Sequence, residues 1–104
     1  PYNELLTYDS DLQNGGHLQF FLNRALRREN IFAVMAALRE TLPAGHADNA
    51  AQAYRQYCML GIDTDNDGEI MQALDDDPLC VFDEWYFDHE EELLDMLEAY
   101  ANSL

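Results

Sequence analysis

An all-α fold is predicted for this 104-residue chain: a single compact domain, residues 1–104, of about five to six helices with an amphipathic acidic helix at its C-terminal end. Three observations predict it. Apolar residues recur three and four apart over most of the length. Gly and Pro stand where such runs would have to stop. No alternating apolar and polar stretch competes as a strand.

The first run places Tyr2, Leu5, Leu6 and Leu12 on one side of a short helix ending near Asn14. Asn14-Gly15-Gly16 takes positive φ at little cost, so it ends one helix and starts the next. Leu18, Phe21, Leu22, Ala25 and Leu26 continue at helical spacing to about Arg28, and Ile31, Val34, Met35, Leu38 and Leu42 form a third helix closed by Pro43 and Gly45. A fourth helix is expected from about Ala47 to Leu60, with Ala50, Ala51, Tyr54, Tyr57 and Cys58 inward and Gly61 as its stop. After a short irregular stretch, Asp83 is expected to cap a helical segment carrying Trp85, Tyr86 and Phe87. That segment continues or bends into a final helix ending near Asn102. Leu93, Leu97, Tyr100 and Leu104 make its apolar stripe.

Charge divides the chain in two. Up to Ile62, six acids face five arginines, a net of −1; from Asp63 onward there are fifteen acids and no Lys or Arg, a net of −15, which together give the formal −16. Such a field destabilises a compact chain and attracts a basic partner. Salt adaptation is the competing explanation, but it calls for acids over the whole surface, and the first sixty-two residues are close to neutral. Disorder of the acidic part is opposed by Phe82, Trp85, Tyr86, Phe87 and Tyr100 lying among the acids.

Asp88, Glu91, Glu92, Asp95 and Glu98 fall three or four apart on the side of the last helix opposite its apolar stripe. At about 1.5 Å per residue they span about 15 Å. Asp75, Asp76, Asp77, Asp83 and Glu84 are expected to add a second row. Duplex DNA carries one negative charge per about 1.7 Å of axis, so one helix is sparser, and two rows come nearer a phosphate ladder.

Asn14-Gly15-Gly16-His17-Leu18-Gln19-Phe20-Phe21-Leu22-Asn23 resembles the Asn-Gly-Gly-x-x-Gln-Phe-Phe-x-Asn signature of the bacterial DNA mimic protein 19-like family. Phe82-Asp83-Glu84-Trp85-Tyr86-Phe87, followed by Glu90 to Glu92, Leu93, Leu97 and Tyr100, is similar to that family's Leu-Asp-x-x-Phe-Tyr segment and closing helix, with Phe82 where leucine is usual. The resemblance implies an all-α domain. For the mimic members it also implies binding to a basic DNA-binding protein, such as a helix-turn-helix transcription factor, by carboxylates standing where DNA presents phosphates. Direct nucleic-acid binding is not expected of five arginines against this net charge. A homodimer is compatible with the reading because it would lengthen the acidic row.

Within the signature, Gln19 and Asn23 are expected to hydrogen-bond backbone near the Gly-Gly turn while Phe20 and Phe21 enter the core. His17, His46 and His89 belong to no ligand set and are expected at caps or on the surface. Arg24, Arg27 and Arg28 crowd the end of the second helix, where cations suit the dipole.

A second functional class is a calcium-binding helical module. In Asp63-Thr64-Asp65-Asn66-Asp67-Gly68-Glu69-Ile70, alternating Asp63, Asp65 and Asp67, a glycine in sixth place and an apolar eighth residue follow the EF-hand loop. The twelfth position of loop 63–74 is Leu74 instead of the bidentate Glu, which weakens that reading; a self-bonding Asp/Asn turn explains the same residues. No cofactor is otherwise expected. Catalysis has no Ser/His/Asp or Cys/His context, phosphate loop or zinc spacing to support it. Two cysteines, Cys58 and Cys80, and the lack of a leader or long apolar run favour a reduced cytoplasmic setting, without a membrane role.

Overall fold

A computed structural model describes residues 2–103. They contain six helices and no strand: α1 (Tyr2–Leu26), α2 (Ile31–Thr41), α3 (Ala44–Leu60), α4 (Asp67–Asp76), α5 (Cys80–Asp88) and α6 (Glu90–Asn102). No helix among these residues is long and apolar enough to cross a membrane.

The two helices expected before Arg28 are the two arms of α1, joined at Gly16 with φ 75° and ψ −167°. That combination is essentially reserved for glycine. Leu5, Tyr8 and Leu12 from the first arm and Leu18, Phe20, Phe21 and Leu22 from the second are almost wholly buried. Helix α1 is the hub, touching α2, α3, α5 and α6. Phe20 and Phe21 enter the core as expected. Gln19 Nε2 instead donates to the Asn23 side chain at 2.8 Å, so the two amides satisfy one another and not the turn backbone.

Asn30 caps α2 by accepting from the Ala33 amide at 3.3 Å, and Gly61, φ 61°, ends α3 as its position predicts. The inner face of α3 differs in part from the expected one. Ala50 is buried and Tyr54 and Tyr57 pack against the core as expected, but His46, Asn49 and Ala53 are buried as well, while Ala51 and Cys58 are exposed. Small and polar side chains sit inward because they meet backbone there: Asn49 Nδ2 donates to the Phe82 carbonyl at 2.9 Å and His46 Nε2 to the His89 carbonyl at 2.8 Å.

Helix α4 replaces much of the stretch expected to be irregular. Asn66 caps it, accepting from the Glu69 amide at 3.2 Å, and Asp77 ends it with φ 48°. Ala73 is its buried residue, with Ile70 packed beside the core, so α4 stays peripheral. Asp83 does not cap the next segment; it lies inside α5, which begins at Cys80. The last helix bends away at His89, whose amide bonds both Trp85 and Tyr86 carbonyls. Leu93 and Leu97 of its apolar stripe are buried and Tyr100 packs against them; Leu104 is outside the described residues.

Candidate partner-binding surface

Asp75, Asp76, Asp77, Glu84, Asp88, Glu91, Glu92, Asp95 and Glu98 are exposed, on α4, α5 and α6. Asp83, expected among them, is a correction: its side chain is 14% exposed, and its Oδ1 accepts from the His17 amide at 2.8 Å and from His17 Nδ1 at 2.7 Å. This carboxylate caps the second arm of α1, where the kink leaves a helix N-terminus with amides to satisfy. It belongs to the scaffold. Glu90, not expected to matter, is partly covered and accepts from Gln13 Nε2 at 3.0 Å. The row of carboxylates is also broken, because Asp88 ends α5 and the turn at His89 separates it from Glu91, Asp95 and Glu98 on α6.

That turn is held from three sides. The His89 ring stacks on Trp85 with centroids 4.0 Å apart, its Nδ1 donates to the Trp85 carbonyl at 2.8 Å, and its own carbonyl receives His46. The orientation of the acidic α6 relative to α5 therefore depends on buried and half-buried aromatics, not on the acids themselves.

One arginine is committed within the first part of the chain. Arg24 is buried, lies over the Phe20 ring at 4.9 Å, and stands 3.1 Å from both Asp11 Oδ2 and Glu29 Oε2. Asp9 accepts a hydrogen bond from the Tyr86 hydroxyl. Asp9, Asp11 and Glu29 are thus tied into the fold. Among the described residues, arginine makes no ion pair with any acid after Ile62.

Helix dipoles sort the uncompensated acids into two kinds. Glu90, Glu91 and Glu92 occupy the first turn of α6, where negative charge is favourable. Asp75 and Asp76 sit in the last turn of α4 with Asp77 as its C-cap, where carboxylates oppose the dipole. Against that cost, Asp76 Oδ1 accepts a bond from Gln72 Nε2 at 2.9 Å.

Asp63, Asp65 and Asp67 are exposed and do not converge. Asp63 Oδ1 accepts from the Asp65 amide at 3.0 Å, the Asp63 amide donates to Glu69 Oε1 at 3.3 Å, and Asp67 is already the first residue of α4. Among the described residues no group of three or more His, Cys, Asp or Glu is arranged to hold a metal ion.

Sequence reasoning missed the polar centre of the core. Tyr8 O–H donates to His17 Nε2 at 2.6 Å, and His17 passes its other ring N–H to Asp83. The chain Tyr8–His17–Asp83 has the order of a proton relay, but Tyr8 and His17 are fully buried, and burial raises the Tyr8 phenol far above its ordinary value. It serves as a buried clamp between α1 and α5. The available signal was Gly16: a glycine forced into its conformation points to something pressed against it, and here that is Asp83.

Neither a curated protein nor a solved structure matches this chain. A family model does, over residues 4–104, nearly the whole length and including both the Gly-Gly kink and the acidic helices. The chain belongs to the family of DMP19-like proteins.

Proposed function

We propose that this protein is a DNA mimic: its uncompensated carboxylates on α4, α5 and α6 take the place of DNA phosphates on a basic DNA-binding protein, such as a helix-turn-helix transcription factor, and compete with DNA for it. The observation that carries this reading is the separation of roles among the acids. Asp9, Asp11 and Glu29 of the first half are bonded to Tyr86 or Arg24, whereas Asp75 to Asp77, Glu84, Asp88, Glu91, Glu92, Asp95 and Glu98 face solvent without an arginine. Membership of the DMP19-like family agrees with it.

Magnitudes decide how much surface is needed. Glu91 to Glu98 on α6 covers about 10 Å and carries three carboxylates on one side, where a duplex presents about six phosphates. One helix is too sparse, so the acids of α4 and α5 are part of the interface. Attraction at long range speeds encounter at low salt, and local fit selects which basic protein remains.

The test is competition. A DNA-binding protein captured from lysate at low salt, identified and purified, should be displaced by duplex DNA and by added salt. Replacing Asp88, Glu91, Asp95 and Glu98 by Lys should abolish its binding; binding that survives this charge reversal overturns the assignment of the interface.

A further inference from the structure

The acidic surface is not uniformly convex. A cleft of about 500 Å³ opens between the kink of α1 at Gly15–Gly16 and the corner where α4 passes into α5. Its lining is mixed: Leu74, 39% exposed, and Phe87, 42% exposed, supply most of the apolar part, Leu12 behind them is almost wholly covered, and Gln13, Asn14 and Cys80 stand among them. Two carboxylates stand at the lip, Asp77 from the C-cap of α4 and Glu84 from α5, the latter three residues before Phe87 and so on the same helical face. Asp83 also borders the space, but its Oδ1 is committed to His17. No basic side chain lines the cleft.

Resting on the DNA-mimic reading, we infer that this cleft receives one arginine side chain of the basic partner. Its methylenes lie against Leu74, its guanidinium plane over the Phe87 ring, and its N–H groups bond Asp77 and Glu84. A bare phosphate ladder offers carboxylate-like oxygens but no apolar floor, so this is a contact that DNA itself does not provide. Arginine suits the cleft better than lysine: its planar fork bonds two carboxylates while stacking on an aromatic face, and it is the more weakly hydrated cation. Asp77 strengthens the assignment. Its carboxylate opposes the α4 dipole, a cost that an external cation beside it would offset.

The test needs no knowledge of the partner. A blocked Ala-Arg-Ala tripeptide titrated into isotope-labelled protein should shift the amide resonances of Gly15, Gly16, Glu84 and Phe87 saturably. The citrulline analogue should not, and the lysine analogue should bind more weakly. Asp77→Asn with Glu84→Gln, both at exposed positions, should weaken the arginine peptide about a hundredfold, about tenfold for each charge-assisted contact removed. Phe87→Ala should weaken it about tenfold. Equal responses to arginine and lysine, or shifts spread over all the acidic helices without saturation, overturn the inference. With the purified partner, loss of binding on charge reversal of α6 but not on Phe87→Ala removes the cleft and leaves the mimic standing. Saturable arginine binding by a protein that no DNA-binding protein engages removes the mimic and leaves the cleft.

Discussion

Asp83 and His17, sixty-six residues apart, are joined twice through one oxygen: Asp83 Oδ1 takes both the backbone amide and the ring Nδ1–H of His17. The contact caps a helix arm and fastens the acidic half of the chain to the near-neutral half. Replacing Asp83 by Ala leaves a buried amide and a buried ring N–H without an acceptor. We expect a loss of about 3 kcal/mol in urea unfolding, against less than about 0.5 kcal/mol for Glu84→Gln on the surface. Equal effects from the two variants would show that Asp83 is not part of the clamp.

Gly16→Ala should be nearly as damaging. Its φ of 75° with extended ψ is closed to an L residue, and a Cβ would overlap the Asp83 carboxylate. Strain of about 1–3 kcal/mol is expected before any displacement of Asp83 is counted. Gly61→Ala, at φ 61° but with open space around it, should cost less, about 1 kcal/mol.

Burial holds the His46 imidazole below its ordinary value, and its Nδ1 is buried without a partner while Nε2 donates to His89. The unfolded chain therefore binds the proton first, so this residue makes stability fall as pH drops below the unfolded value of about 6.5. His46→Gln should flatten the slope of unfolding free energy between about pH 6.5 and pH 5. An unchanged slope would assign that pH dependence elsewhere.

At the alkaline end the sign reverses. Burial raises the Tyr8 and Tyr86 phenols, so both keep their protons in the fold after the unfolded chain would lose them near pH 10. Their contribution is complete below that value and is lost as pH rises above it. Tyrosinate absorbance should show these two titrating only together with unfolding, and Tyr8→Phe should reduce the alkaline sensitivity.

Neutralising Asp75 and Asp76 to Asn should raise stability, by about 0.5 kcal/mol each at low salt, because both oppose the α4 dipole within a strongly negative lobe. The same substitutions should weaken partner binding. Added salt should raise the melting temperature of the unmodified protein and shrink the gain from the variants.

Local patterns were legible where one short stretch of chain decides the outcome. Gly61 as the α3 stop, the run Ile31 to Thr41 and the buried Leu93 and Leu97 all follow from spacing and end residues alone. Helix α4 was hidden by the calcium-loop pattern, although Asn66 followed by Glu69 is also a helix-start pair. The inner face of α3 was partly misplaced because its apolar residues edge an open groove of about 1000 Å³ beside α2, while the buried side binds backbone through His46 and Asn49. Asp83 could not be told from its acidic neighbours in sequence, since what distinguishes it is an amide sixty-six residues away. The segregation of charge was fully readable; which acids face outward was not.

The inward turn of Asp83 has a consequence for how this protein tolerates change. The segment from Asp63 onward meets the scaffold through the Asp83 carboxylate, the Tyr86 hydroxyl, the Phe82 and His89 carbonyls, the Gln13–Glu90 bond and the buried Leu79, Leu93 and Leu97, whereas Asp75 to Asp77, Glu84, Asp88, Glu91, Glu92, Asp95 and Glu98 stand exposed on α4, α5 and α6. On the proposed mimicry, substituting those acids one by one should re-tune affinity for a basic partner while the frame stays fixed.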